Sequence, residues 1–251
     1  MSSWRAKLGF LIPAGTPTVE IEMPEVSPRG VSVHFSRMTA RGADGTLNGL
    51  DDRIASQIKH IDETAGLMAC VKPNVMVLAH TATCYQLGPD GETSVCARIK
   101  EQTGIPFITV LQSAVLAMQT KGVRKVALGT PYDERWTMKA KAGLESYGFE
   151  IVKFEWLKNV RSVFDEPPGR AYGLGRSVDC PEADAVFLSG VGMPTLSVLD
   201  ALERDLGKPV ISSASAMMWN ALRVAGVEPV VPGYGSLLAG SPNGGGVRPA
   251  N

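Results

Sequence analysis

The sequence is poor in the residues that most often announce chemistry. Its 251 residues hold four cysteines and three histidines, with no CxxC pair and no metal-type spacing among them. That excludes a disulfide framework, argues against a metal site, and suits a reduced, cytoplasmic setting. Charge of one sign is missing too: Lys and Arg together number 25, as do Asp and Glu. A chain with no net charge offers no electrostatic footprint for nucleic acid or an anionic membrane. No apolar run approaches the roughly 20 residues of a membrane-spanning helix. The opening MSSWRAKLGFLIP has a short apolar stretch that stops at proline, so it reads as a first buried strand rather than a signal peptide. There is no GxxxxGK followed by Ser or Thr, and no convincing GxGxxG, so a polyphosphate cradle is not expected.

What the chain does have is a repeat. Residues 75–86 (VMVLAHTATCYQ) and 185–196 (AVFLSGVGMPTL) share one grammar, an apolar strand running into a small, hydroxyl-rich loop. Residues 104–109 (GIPFIT) match 207–212 (GKPVIS), and residues 7–14 (KLGFLIPA) match 125–132 (KVALGTPY). Hydrophobic residues make up 44% of the chain, enough for two packed cores. Strands alternating with helix-length segments predict parallel sheets. The expected fold class is therefore α/β, with two pseudo-symmetric Rossmann-like halves, each a short parallel sheet flanked by helices. Residues 1–120 with 221–251 would form the first half and 121–220 the second. Ligands of open α/β sheets bind beyond the carboxyl ends of the strands, so the active site is expected in the cleft between the halves.

Periodicity predicts helices over 50–68, 94–103, 113–121, 133–147, 196–206 and 216–225, with Gly148 as a stop. Residues 31–38 alternate as a strand, and 164–176 read as a loop leading into a helix. From Gly233 onward glycine and proline dominate, and the segment reads as a mobile end.

Five strand-end loops carry many hydroxyls and glycines and few charges: 13–18, 80–84, 130–132, 189–195 and 212–215. Such loops, leading into helix N-termini, hold small anions through backbone N–H groups and O–H donors. Each Ser or Thr alone is as well explained as a helix cap; five loops in corresponding positions favour a site. His80 sits at a strand end, and imidazole gives or takes a proton near neutrality. The competing reading is a histidine that orders its loop. Cys84 falls in the first turn of a helix, where the N-terminus would lower its pKa, or is a small buried hydrophobe. Cys70, Cys96 and Cys180 read as structural, as do His34 and Arg37, and His60 as solvated.

Segment order and spacing add a resemblance. LGFLIPAGTPTVEIE (8–22), VHFSRM (33–38), residues 77–81, ALGTPY (127–132), LSGVGMPTL (188–196) and residues 209–213 followed by Trp219 resemble, nearly end to end, the aspartate/glutamate racemase superfamily. The branch is that of maleate isomerases and arylmalonate decarboxylases. The resemblance implies two α/β halves with the active site between them and carbon-acid chemistry without metal or cofactor. Racemases of the superfamily use one cysteine from each half, maleate isomerases add one cysteine covalently, and arylmalonate decarboxylases keep the second-half cysteine as proton donor. Here the first-half cysteine position matches His80 and the second matches Gly190, so both thiols are gone. Thr16 stands where the isomerases have asparagine. Thr81, Tyr132 and Asn159 match, and are implied to bind carboxylate or stabilise an enolate.

The expected catalytic residues are His80, Tyr132 and Cys84. The expected substrate-binding residues are Thr16, Thr81, Ala82, Asn159, Ser189, Gly190, Val191 and Ser213. Losing both thiols argues against two-base racemisation and against thiolate addition to maleate. Decarboxylation of a small malonate-like acid through an enolate-type intermediate is the leading expectation, because it requires donors for the enediolate and only one proton source. The alternatives are maleate-type cis–trans isomerisation, with His80 or Cys84 adding to the substrate, or a non-catalytic carboxylate-binding homologue. The expected partner is a small carboxylate, with no nucleic acid, membrane or cofactor, and the resemblance implies a homo-oligomer.

Overall fold

The computed structural model describes residues 4–39 and 49–240. Strands β1 (Ala6–Pro13), β2 (Val31–Met38), β3 (Val75–Leu78) and β4 (Phe107–Thr109) form one sheet in the order β2-β1-β3-β4. Strands β5 (Lys125–Thr130), β6 (Glu150–Trp156), β7 (Ala185–Leu188) and β8 (Val210–Ser212) form a second in the order β6-β5-β7-β8. Every pairing is parallel. The two sheets thus share one topology, as the repeat predicts. Central β3 (VMVL) and β7 (AVFL) are apolar throughout and fully buried, the pattern of parallel strands covered on both faces.

The covering helices are α1 (Thr18–Glu25), α2 (Leu50–Lys59), α3 (Ile61–Ala69), α4 (Thr81–Thr103) and α5 (Val110–Thr120), then α6 (Glu134–Glu145), α7 (Pro168–Val178), α8 (Leu196–Leu206) and α9 (Ser213–Val224). Helix α5 packs along α9, α9 also reaches β3 and α1, and α4 lies against α6. These contacts join the halves. Helix α9 runs unbroken through residue 220, where the second half was expected to end. Among the described residues no helix is long and apolar enough to cross a membrane.

Several elements differ from expectation. The single helix expected over 50–68 is two, broken at His60 (φ −108°, ψ 8°). Helix α4 starts at Thr81 rather than 94 and continues past a kink at Gly88 (φ 67°, ψ 175°), where Gly-Pro reads locally as a breaker. Helix α1 carries no helical apolar stripe, yet buries Thr18, Val19, Glu22 and Met23. The expected mobile end is overturned over 233–240. Leu237 and Leu238 are buried, Tyr234 donates to Glu25 (2.9 Å), and the Gly235 and Ser236 N–H groups donate to Asp200 (2.9 Å) and Glu203 (2.6 Å). Two apolar anchors and one tyrosine hydroxyl among the glycines tie the strap down. Residues 241–251 of that expectation lie outside the described residues.

In each sheet the chain leaves the second-ranked strand toward one edge and returns on its other side. The loops after β1 and β3, and after β5 and β7, therefore diverge and open a crevice at the strand ends.

Candidate active site

The strand-end loops after β3, β5 and β8 run almost directly into helices. After β3, His80 is extended (φ −145°, ψ 98°) and Thr81 already begins α4. After β5, Pro131 and Tyr132 precede Asp133, whose side chain caps α6 by accepting from Trp136 N–H at 2.9 Å. After β8, Ser212 and Ser215 form a capping box and α9 starts at Ser213. These short connections leave little freedom to the side chains they carry.

Hydroxyls from both halves meet in one buried, hydrogen-bonded cluster. Thr81 Oγ1 donates to Ser213 Oγ (3.3 Å), and the Gly190 N–H donates to the same oxygen (3.0 Å). Tyr85 OH lies 2.9 Å from Ser189 Oγ, and the Tyr132 phenol is buried against Gly190, where a Cβ would lie 3.3 Å from its oxygen. Thr81, Ser189 and Ser213 are wholly inaccessible. Ser213 Oγ receives two hydrogen bonds, so its own proton remains available for another acceptor. Burial pushes the Tyr132 phenol above its ordinary value, which keeps it a neutral donor.

His80 stands beside this cluster, half-buried. Its Nδ1 lies 2.7 Å from Thr83 Oγ1, and Thr83 Oγ1 in turn donates to Gln57 Oε1 at 3.3 Å. Burial, aided by the positive charge of Arg53 on α2, pushes its pKa down to about 3. The imidazole is therefore neutral at pH 7, lower than its strand-end position alone implies.

Cys84 differs from one of its two readings. It is in the first turn of α4, but burial, and then the charge of Glu92, push its thiol well above the ordinary value. The helix terminus does not offset a buried carboxylate neighbour, itself bonded by Thr109 and by Tyr147 (2.6 Å). A thiol in that setting stays protonated.

The remaining residues divide. Thr16 is buried in the turn after β1, and Ala82 and Val191 are buried with only their backbone polar groups to offer. Gly190 has φ +104°, and a Cβ there would lie 2.7 Å from Pro131 Cγ and 3.3 Å from Tyr132 OH. Both the left-handed backbone and the closed space reserve this position for glycine. Asn159 is exposed in the loop after β6, with φ +56°, and is not brought to the hydroxyl cluster.

Sequence reasoning missed Tyr85, Thr83, Gln57, Arg53 and Glu22. Tyr85 lies one helical turn beyond Thr81, a spacing that puts both on one face. Gln57 falls on the apolar stripe of α2 with Leu50 and Ile54, and is buried with them; a polar residue there was a readable signal. Glu22 left none. From α1 its Oε1 accepts the N–H groups of Thr195 (2.6 Å) and Leu196 (2.8 Å) at the start of α8, while Oε2 is buried without a partner among the described residues. Thr18 on the same helix donates to Gly192 O at 2.8 Å. Helix α1 thereby holds the 189–195 loop from across the cleft. Among the described residues no three His, Cys, Asp or Glu side chains gather as a metal site.

Twin parallel sheets of one topology, closing over a seam of hydroxyls and glycine backbone, define the two-half α/β architecture of the aspartate/glutamate racemase-like superfamily. The chain belongs to the arylmalonate decarboxylase family, whose model matches residues 8–238. It is 30% identical over 240 residues to a maleate isomerase of Nocardia farcinica, spanning 92% of this chain and 95% of that protein. It is 29% identical over 204 residues to an arylmalonate decarboxylase of Bordetella bronchiseptica, spanning 77% and 81%. Among solved structures, a cysteine-to-serine variant of the Nocardia farcinica maleate cis–trans isomerase, holding a covalently bound succinylcysteine intermediate, superposes with a TM-score of 0.85 at 27% identity, covering 93% of this chain and 98% of that one. A crystal structure of arylmalonate decarboxylase shares the fold with a TM-score of 0.73, covering 92% and 98%. These relatives are enzymes, isomerases on one side and a lyase on the other, and the chain is an enzyme of their kind.

Proposed function

We propose that this enzyme decarboxylates a small malonate-like acid through an enediolate, in a cleft between halves taken as residues 1–120 with 221–251 and 121–220. The observation that carries the reading is the buried cross-cleft cluster in which Thr81 and the Gly190 N–H meet Ser213, Tyr85 meets Ser189 and Tyr132 lies against Gly190, beside a strand-end histidine, with neither thiol position occupied by cysteine. Decarboxylation needs no nucleophile. The bond from the α-carbon to one carboxylate breaks, its electron pair enters the enediolate, and CO2 leaves. The remaining charge is spread over oxygens that accept from preorganised O–H and N–H donors, each worth about 3 kcal/mol. His80 then delivers a proton from Nε2 to the α-carbon. The free imidazole is neutral, but a bound dianion favours its protonated form, so substrate binding takes up the proton that the reaction consumes. Arg53 adds positive charge on the same side.

Incubation of a panel of substituted malonates in deuterated buffer tests this. The expected result is CO2 together with one deuterium at the α-carbon of the monoacid product, lost in His80→Ala. Unchanged di-acids across the panel would defeat the reading. A second reading, cis–trans isomerisation of a maleate-like acid with His80 adding through Nε2, is favoured by the 30% identity to a maleate isomerase. It predicts conversion without mass change and an imidazole adduct trapped by mass spectrometry.

A further inference from the structure

We propose that Thr83 and Gln57 are positioning residues that lock His80 in the tautomer bearing its proton on Nδ1, leaving the Nε2 lone pair as the proton-accepting atom of the site. The inference rests on the reading of His80 as the proton-transfer group. The argument is one of hydrogen-bond polarity. A threonine hydroxyl has a single proton. Thr83 spends it on Gln57 Oε1 at 3.3 Å, so toward His80 Nδ1, at 2.7 Å, the same oxygen acts as acceptor. Nδ1 must therefore carry the hydrogen. Nε2 has no hydrogen-bond partner among the described residues.

Burial makes this polarity stable. Gln57 is 2% exposed and Thr83 wholly inaccessible, so water does not compete for either group. The acceptor is a neutral oxygen, unlike the carboxylate that backs the histidine of a serine-protease triad; it orients the ring without charging it. The arrangement also serves both protonation states of a proton carrier. When Nε2 takes a proton, Nδ1–H keeps its acceptor and nothing has to turn. In the opposite tautomer the Thr83 proton would point at Nδ1, and protonating the ring would set two hydrogens against each other. The chain Gln57–Thr83–His80 lies entirely within α2 and the β3–α4 junction, so it orders the histidine independently of the hydroxyl cluster.

The test is nitrogen-15 NMR of histidine-labelled protein, which distinguishes Nδ1–H from Nε2–H and needs no substrate. The chain has only three histidines, and loss of one signal set in His80→Gln assigns it. The expected result is a single Nδ1–H tautomer for His80, retained in Thr83→Ser. In Gln57→Leu the Thr83 proton is released to point at Nδ1, and the tautomer switches to Nε2–H. In Thr83→Val it becomes a mixture, and if Gln57→Leu fails to fold, the Thr83→Ser and Thr83→Val pair carries the test. On a turned-over di-acid, kcat falls roughly 100-fold in Thr83→Val with KM little changed. An Nε2–H signal in the wild type, or a tautomer indifferent to these substitutions, overturns the proposal. A tautomer that switches as expected in a protein that turns over no di-acid leaves the relay standing and removes the functional reading instead.

Discussion

Replacing Glu22 by glutamine should change how stability depends on pH, in a window set by the structure. The Glu22 carboxyl is buried, with Oε1 on two backbone N–H groups and Oε2 on no partner among the described residues. Burial raises its pKa from 4.5 to about 7, against the opposing pull of the Leu196 and Thr195 amides. Between those two values the folded chain keeps a proton that the unfolded chain has already released. Raising the pH therefore draws the equilibrium toward the unfolded state. The Glu22 contribution is fully present below the unfolded value and is lost as pH rises through the folded one. At about 1.4 kcal/mol for each tenfold step, crossing from 4.5 to about 7 costs the wild type about 3 kcal/mol. Glutamine keeps a carbonyl oxygen for Thr195 and Leu196 but has nothing to titrate. Urea denaturation of both proteins from about pH 4 to about pH 8 should show Glu22→Gln gaining about 3 kcal/mol relative to wild type across that range. Taking the difference removes the carboxylates that titrate the other way: Asp51, Asp62 and Asp184 are held below their ordinary values by arginine or backbone partners and weaken the fold only in acid. A difference that stays flat with pH would refute the reasoning, because it would mean that the carboxyl is hydrated or paired in solution.

Gly190→Ala forces a side chain into a backbone with φ +104° and a Cβ position 2.7 Å from the Pro131 ring; a loss of about 2–4 kcal/mol is expected, and an unchanged melting temperature would contradict it. Tyr85→Phe removes a hydroxyl 2.9 Å from Ser189 Oγ while keeping the ring; thermal melts should show a loss of about 1 kcal/mol. Cys84 should resist alkylation in the folded protein at about pH 8, while exposed Cys70 reacts; peptide mapping that finds Cys84 modified first would place it in an environment the structure does not contain.

The strands and their pairing into two like sheets were legible because buried parallel strands are written as unbroken apolar runs, and here the runs recur in matching order. The histidine and hydroxyl loops were legible as strand-end segments. Helix boundaries were not: α4 starts 13 residues before its predicted position because Thr81–Thr103 contains Gly88 and Pro89, which locally signal a break that tertiary packing overrides.

Within the site, the sequence by itself determined which groups are available: one strand-end imidazole, several hydroxyls, and no cysteine at residues 80 or 190. Those identities follow from composition and order alone. Only the tertiary structure decided their state. Cys84 is a protonated thiol because it is buried and the carboxylate of Glu92, eight residues further along α4, stands beside it. His80 is a neutral ring because burial at the β3–α4 junction, and then the charge of Arg53 on α2, disfavour its protonated form. Asn159, matched by resemblance, is left in solvent while unremarked Tyr85 joins the cluster. Desolvation, charge and hydrogen-bond polarity depend on neighbours far apart in the chain, and no local pattern of residues encodes them.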